Sequence, residues 1–294
     1  MNCMDRFVYL RVFEQRVQNA LCLKHSKIGY TCILLSFVVI DNYASTINDT
    51  ILYRFSYSVK MRICDENKTQ RDDEICVDIG ERVIMCYSRW KSENRRLIDS
   101  VFSMGGNAND YQLVRQQKGF PSSAFEFQIY KNYPQNGTNC VIWESSKRLY
   151  YEENATIQQW EMLEGDTVIL GYNCKKAQTF FRGRVWHVWY TMDIPISEGP
   201  WKLCGLPGMI LKAEEGNGLF TFCCIGIKSH INEPLKPDVS NVVKSTYKKV
   251  QELMSLRWSD HERFKSVMGI TMQIRDKGNK PLTRPKLTAC LLEQ

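Results

Sequence analysis

Ile51-Leu-Tyr-Arg-Phe-Ser-Tyr-Ser-Val-Lys-Met-Arg-Ile63 decides the fold class. Tyr53, Phe55, Tyr57, Val59, Met61 and Ile63 alternate with Arg54, Ser56, Ser58, Lys60 and Arg62. Strict alternation over so many positions is the period of a β-strand with one face buried and one wet. Outward from it the same chemistry repeats. A second strand region is expected at about Ile75–Ser88, broken at Gly80-Glu81, with short strands at Ala124–Tyr133, Cys140–Trp143, Lys147–Glu152 and Ile157–Leu163. Pro134-Gln-Asn-Gly137 and Glu215-Gly-Asn-Gly218 are turn chemistry between strands. Residues 90–120 are polar around Gly105-Gly106-Asn107 and read as loops with one short helix near Asp110–Lys118. Strands at Leu206–Glu215 and Gly218–Lys228 come before a helix from Asp238 or Ser240 to about Arg257, and a shorter helix capped by Ser259-Asp260. The tail returns to extended character at Gly269–Arg275 and Lys286–Leu292. The expected architecture is mainly β: an antiparallel curved sheet, bowl-like or a half-open barrel, with one or two C-terminal helices. No Gly/Ser linker divides residues 46–294, which read as a single β-rich domain.

Before it, residues 1–45 hold an apolar run, Ile28–Ile40, preceded by Lys24 and Lys27 and followed by the small residues Ala44 and Ser45. That is the anatomy of a signal peptide, except that the segment before the apolar run is too long. A misassigned upstream start, a membrane anchor with a short cytoplasmic tail, and a buried core segment all fit it. Export is the expected reading, with a mature chain beginning around Ser45 or Thr46.

Composition removes whole classes. The 294 residues are 44% hydrophobic and 12% aromatic, which excludes a disordered chain, collagen and coiled coil. The net charge of +7 comes from 39 basic and 32 acidic residues without a basic block, so nucleic acid is not an expected partner. The 12 cysteines include no C-x-x-C pair and His25, His187, His230 and His261 are isolated, so no metal is expected. No P-loop, dinucleotide fingerprint, G-x-S-x-G or H-E-x-x-H occurs, and no cofactor or catalytic residue is assigned. If the N-terminal segment is cleaved, Cys64, Cys76, Cys86, Cys140, Cys174, Cys204, Cys223, Cys224 and Cys290 remain, an odd number in an oxidising compartment. Cys174–Cys204 is the first disulfide to test, and free buried thiols are the alternative.

Two sets of residues are candidates for function. Arg182, Arg184, Trp186 and Tyr190 fall on one face of a strand whose other face carries Trp189. Guanidinium and aromatic groups together suit a carboxylate, glycan or phosphate, against the plainer reading of a stacked sheet face. A nucleophile would need a Cys with a His and an acid, for example Cys174 or Cys204 with His187. The second set is a series of short pieces: Gly171-Tyr172-Asn-Cys174, Gly183, Gly199-Pro200 and Gly205-Leu206-Pro207-Gly208. Gly205 and Gly208 permit positive φ and close backbone approach, while Pro200 and Pro207 stiffen the chain, which describes a rigid crossing loop.

In order and spacing these pieces, continued to Gly205–Ile210, resemble the GLPGLI family, with Met209 in place of the usual Leu. The resemblance implies an exported protein of a Gram-negative, Bacteroidetes-type cell envelope, an outer-membrane receptor as a partner, and no established activity. It also implies likeness to a bowl-like β domain at the N-terminus of a secreted N-glycan-cleaving enzyme, an accessory module without the catalytic part. The expected function is non-catalytic binding of a lipid, a glycan or an outer-membrane partner at the cell envelope. A thiol- or carboxylate-based hydrolase and a purely structural scaffold are the alternatives. The sequence sets no oligomeric state.

Overall fold

The computed structural model describes residues 49–62, 70–119, 121–270 and 287–293. The run Ile28–Ile40, the cleavage point near Ser45, Cys64 and most of Gly269–Arg275 lie outside them. Twelve strands form one open sheet: β1 Asp49–Arg62, β2 Gln70–Ile79, β3 Ile84–Ser88, β4 Phe127–Lys131, β5 Thr138–Glu144, β6 Arg148–Asn154, β7 Glu161–Ile169, β8 Tyr172–Phe181, β9 Arg184–Thr191, β10 Met209–Glu215, β11 Phe220–Leu235 and β12 Val242–Lys244. Their order is β12-β6-β5-β4-β3-β2-β1-β11-β10-β9-β8-β7. Every neighbouring pair is antiparallel except β12 with β6.

Most neighbours are also neighbours in the chain, because short turns join them. The turns Leu170-Gly171 and Arg182-Gly183 hold both of their residues at positive φ, the two-residue hairpin whose twist matches that of the strands it joins. The long closure is β1 with β11, which places the alternating segment at the centre of the sheet. Its Phe55, Tyr57 and Val59 are fully buried on the inner face with Ile75 and Val77 of β2 and Phe220 and Phe222 of β11.

The sheet curls around that face. Tyr57 donates its hydroxyl to the Ile210 carbonyl at 2.7 Å, reaching from β1 over β11 to β10. The β9–β10 ladder skips Leu211 at this point, a bulge that bends the strand toward the core. Lys131 of β4 and Tyr151 of β6 likewise reach residues of the 192–208 loop, although many strands separate them in the sheet.

Four helices complete the described fold: α1 Arg89–Ser103, α2 Ala108–Lys118, α3 Tyr247–Ser259 and α4 His261–Met268. Helix α1 stands where loops are expected. The Ser88 hydroxyl caps it, accepting from the Lys91 amide, and only Leu97 and Val101 are buried, so its apolar stripe is too thin to read in sequence. The helix expected from Asp238 or Ser240 starts instead at Tyr247, capped by Thr246, because Val242 and Val243 are taken by the parallel pairing of β12 with β6. Asp260 caps α4.

Replacing Tyr57 by Phe keeps the packing and removes a bond that spans β1 to β10. We expect a loss of about 1 kcal/mol in urea denaturation, from the Ile210 carbonyl left unpaired in the core.

Candidate functional site

The 192–208 loop folds back on itself and plugs the concave face. The Ile210 amide donates to the Glu198 carbonyl, Met209 to Ile194 and Gly205 to Ser197, and Glu198 bridges Cys204. Trp201, with no exposed surface, stacks on Phe181 and Trp186, each at 5.5 Å between ring centroids. Gly205 takes a φ of 93°, as the crossing loop requires, but Gly208 does not take a positive φ. Space explains Gly208: a Cβ there would lie 2.0 Å from the Thr191 carbonyl oxygen. Gly199 and Pro200 are buried, Leu206 is 1% exposed, and Pro207 is exposed at the mouth of the loop. Gly171 and Gly183 serve the two hairpin turns, with Tyr172 half-buried at the start of β8.

Two lysines fasten this plug. Lys131, 4% exposed, places Nζ 2.6 Å from Glu198 Oε2 and also donates to the carbonyls of Gly199 and Leu203. Burial works against its charge, but Glu198 outweighs burial and holds the ammonium above its ordinary pKa. Lys202, 3% exposed, lies 2.5 Å from Glu293 Oε1 and 2.7 Å from Glu153 Oε1. Arg182 pairs with Glu153 at 2.9 Å and Glu293 at 3.5 Å, and crosses the ring of Tyr247. The Leu291–Glu293 segment is thereby drawn into the concave face, where Arg184 also holds the Leu291 carbonyl through two N–H groups.

Next to both lysines is a cavity of about 330 Å³. The ladder explains how polar residues reach it: Lys131 is opposite Asn139, which is opposite Glu153, and directly opposed residues share a face. Asn139 thus sits between the two ionic clusters. It is 6% exposed, and its Oδ1 has no hydrogen-bond partner. Asn132 and Asn136 of the β4–β5 turn, Thr156, Ser197 and Cys204 line the rest, with Lys131, Glu198 and Lys202 beneath. The far wall is stitched to the loop: the Cys204 amide donates to Gln158 Oε1, and Trp160 Nε1 donates to the Cys204 carbonyl. Ile157, 74% exposed, overhangs Gly205.

The expected arginine and aromatic set lies elsewhere. Arg184, Trp186 and Tyr190 share the inner face, all nearly fully buried; Arg184 is 3.1 Å from Glu215, and Trp186 is packed between Trp201 and Phe222. Arg182 belongs to the ionic cluster under Lys202. Trp189 is on the outer face, with Lys212 Nζ 4.5 Å and Lys176 Nζ 5.5 Å from its ring centroid. None of the five lines the cavity. The residues that do, Lys131, Asn132, Asn136 and Asn139, escape a sequence reading because a turn and a ladder, not spacing, bring them to the loop. The one sequence signal for them is the Pro134-Gln-Asn-Gly137 turn between two strands.

The cysteines among the described residues are free thiols, so the expected Cys174–Cys204 disulfide is not formed. Each sulfur faces a different carbonyl, Cys174 that of Tyr172 and Cys204 that of Thr156. Burial pushes both thiols up, the opposite of what a nucleophile needs. His187 meets neither: it is on the outer face of β9, across from Gln178 and Glu214.

Comparison with known proteins follows from this geometry. Residues 114–256 match the family model described as N-glycanase peptide, N-terminal domain. That match overturns the GLPGLI reading, whose pieces Gly171–Ile210 lie inside the matched segment. The pieces report tight turns and a close backbone crossing, which are demands of local geometry and do not by themselves mark a family. No curated protein matches the chain. Two crystal structures of PNGF-II, in space groups P21 and C2, are 16% identical to it with TM-scores of 0.43 and cover 69% and 70% of it. The aligned part is 32% of the PNGF-II chain, so this chain spans about a third of that protein.

Gly208→Ala forces the loop away from Thr191. We expect a loss of about 1–3 kcal/mol on thermal denaturation. Gly226→Ala, whose Cβ would meet only Ser56 Cβ at 3.9 Å, is the control and is expected to be near neutral.

Proposed function

We propose that the protein is an exported, non-catalytic glycan-binding protein of the cell envelope, with the cavity at Asn139 as its saccharide site. The observation that carries this reading is a cavity of ligand size lined by three asparagines, one of which, Asn139, has a buried Oδ1 without a hydrogen-bond partner. A buried acceptor without a partner costs free energy until a donor reaches it, and a sugar hydroxyl is a donor that also accepts. Side-chain amides offer both roles at once, and three of them, Asn132, Asn136 and Asn139, converge here. The match to the N-terminal domain of an N-glycanase supports a glycan as the ligand and an accessory role for the domain. The raised thiols of Cys174 and Cys204 speak against the thiol hydrolase.

Calorimetric titration with β-1,4-linked N-acetylglucosamine and glucose saccharides tests the proposal. Binding is expected, and Asn139→Ala is expected to weaken it roughly tenfold, about 1.4 kcal/mol, without lowering the melting temperature. Absence of binding by either series, or unchanged affinity in the variant, would overturn it.

A further inference from the structure

We infer that the saccharide site continues over the β4–β5 turn and takes an oligosaccharide, not a single sugar. The inference rests on the glycan reading above and adds the size of the ligand and the residues that read its far end.

A second cavity, of about 500 Å³, lies on the other side of the same turn. Glu81, Arg82, Pro134 and Gln135 line it together with Asn132 and Asn136, the two residues that also line the first cavity. The two spaces flank one turn and share this amide pair, so a ligand that crosses the turn reaches both.

The ladder gives the span. Ile84 is opposite Lys131, Lys131 opposite Asn139, and Asn139 opposite Glu153, so a single row crosses β3, β4, β5 and β6 at one rim of the sheet. Three strand spacings amount to about 14 Å. The Glu81-Arg82 turn that precedes β3 and the Ala155–Ile157 segment that follows β6, which line the two cavities, are thus about this far apart or more. A lone pyranose ring would leave most of that span empty.

One end and the waist are fixed. Asp49 accepts from the amides of Glu81, Arg82 and Val83 at 2.9, 2.9 and 2.7 Å, which sets the turn that presents Arg82. Burial raises the Asp49 pKa, but these amides and that of Thr50 outweigh it and keep the carboxyl below its usual value. At the waist, Asn132 Oδ1 accepts from the Gly137 amide and so holds the β4–β5 turn closed. A pre-set surface needs little ordering when it binds, and this suits an extended ligand. Arg82, Gln135, Asn132, Asn136 and Asn139 then present donors and acceptors in series, the pattern that successive sugars of a chain require.

Calorimetry with N-acetylglucosamine oligomers of one to six units, and the matching glucose series, tests the inference on the full chain. For the series that binds, affinity is expected to rise by roughly tenfold or more between one unit and three, then to level off. Arg82→Ala and Gln135→Ala are expected to remove that gain and leave the affinity for the single sugar unchanged. Neither replaces a buried side chain: Arg82 and Gln135 are exposed, and Asp49 binds the backbone of residue 82. A flat dependence on length, or full retention of the gain in both variants, would overturn the extended site. The single-cavity reading would survive that result if Asn139→Ala still weakened binding. No binding by any oligomer would overturn both.

Discussion

Two ammonium groups taken out of water set the terms for the rest of this protein. A buried lysine is tolerated only where carboxylates and carbonyls replace its hydration, and losing one partner of such a pair costs several kcal/mol. Lys131 meets that demand with Glu198 and two carbonyls of the 192–208 loop, Lys202 with Glu153 of β6 and Glu293 of the C-terminal segment. Each pair joins parts of the chain that the sheet order keeps far apart. The curl of the sheet, the seating of the loop and the return of Leu291–Glu293 to the concave face are geometrically one arrangement. Such pairs add little net stability over an apolar core of equal shape, but they are exacting about position. Position is what a binding cavity needs from its surroundings.

The cavity follows from that arrangement. Asn139 stands between Lys131 and Glu153 on the ladder, so its side chain must point to the same buried side as theirs. The ionic groups satisfy one another and leave the asparagine oxygen over. Like the indole nitrogens of Trp186 and Trp201, that oxygen is buried without a hydrogen-bond partner, and its residue lines the cavity. The thiols near by do not compete for that role: burial raises Cys204, and pushes Cys86, deeper under the loop, to about 12.

Much of the fold is legible in the sequence because most strands are long, alternating and joined by recognisable turns. The segment at Ile51–Ile63 reads as a half-buried strand, and residues 51–62 lie in one, β1, at the centre of the sheet. Legibility fails where one local signal is overridden by a distant partner. Val242 and Val243 fit a helical stripe, yet three residues of parallel pairing with β6 claim them. Helix α1 buries only Leu97 and Val101, because the rest of it lies against solvent or polar groups. Arg182 and Arg184 do lie near aromatic rings, but their charges are answered from within by Glu153, Glu215, Glu293 and the Leu291 carbonyl. Nothing in their spacing announces those partners. The motif glycines mislead in a related way, since Gly208 is required by the nearness of Thr191, a constraint that the loop geometry imposes.

The central claim, a saccharide site at the rim between the β4–β5 turn and the 192–208 loop, is tested most directly by mapping where a sugar touches. Backbone and side-chain amide NMR shifts of the labelled protein, followed during titration with N-acetylglucosamine trimer, read this residue by residue. The account predicts shifts concentrated at Asn132, Asn136, Asn139, Thr156 and Gly205, with Trp189 and the outer face of β9 unmoved. Shifts centred on Trp189, or none at the Asn139 side-chain amide while the sugar binds, would contradict it.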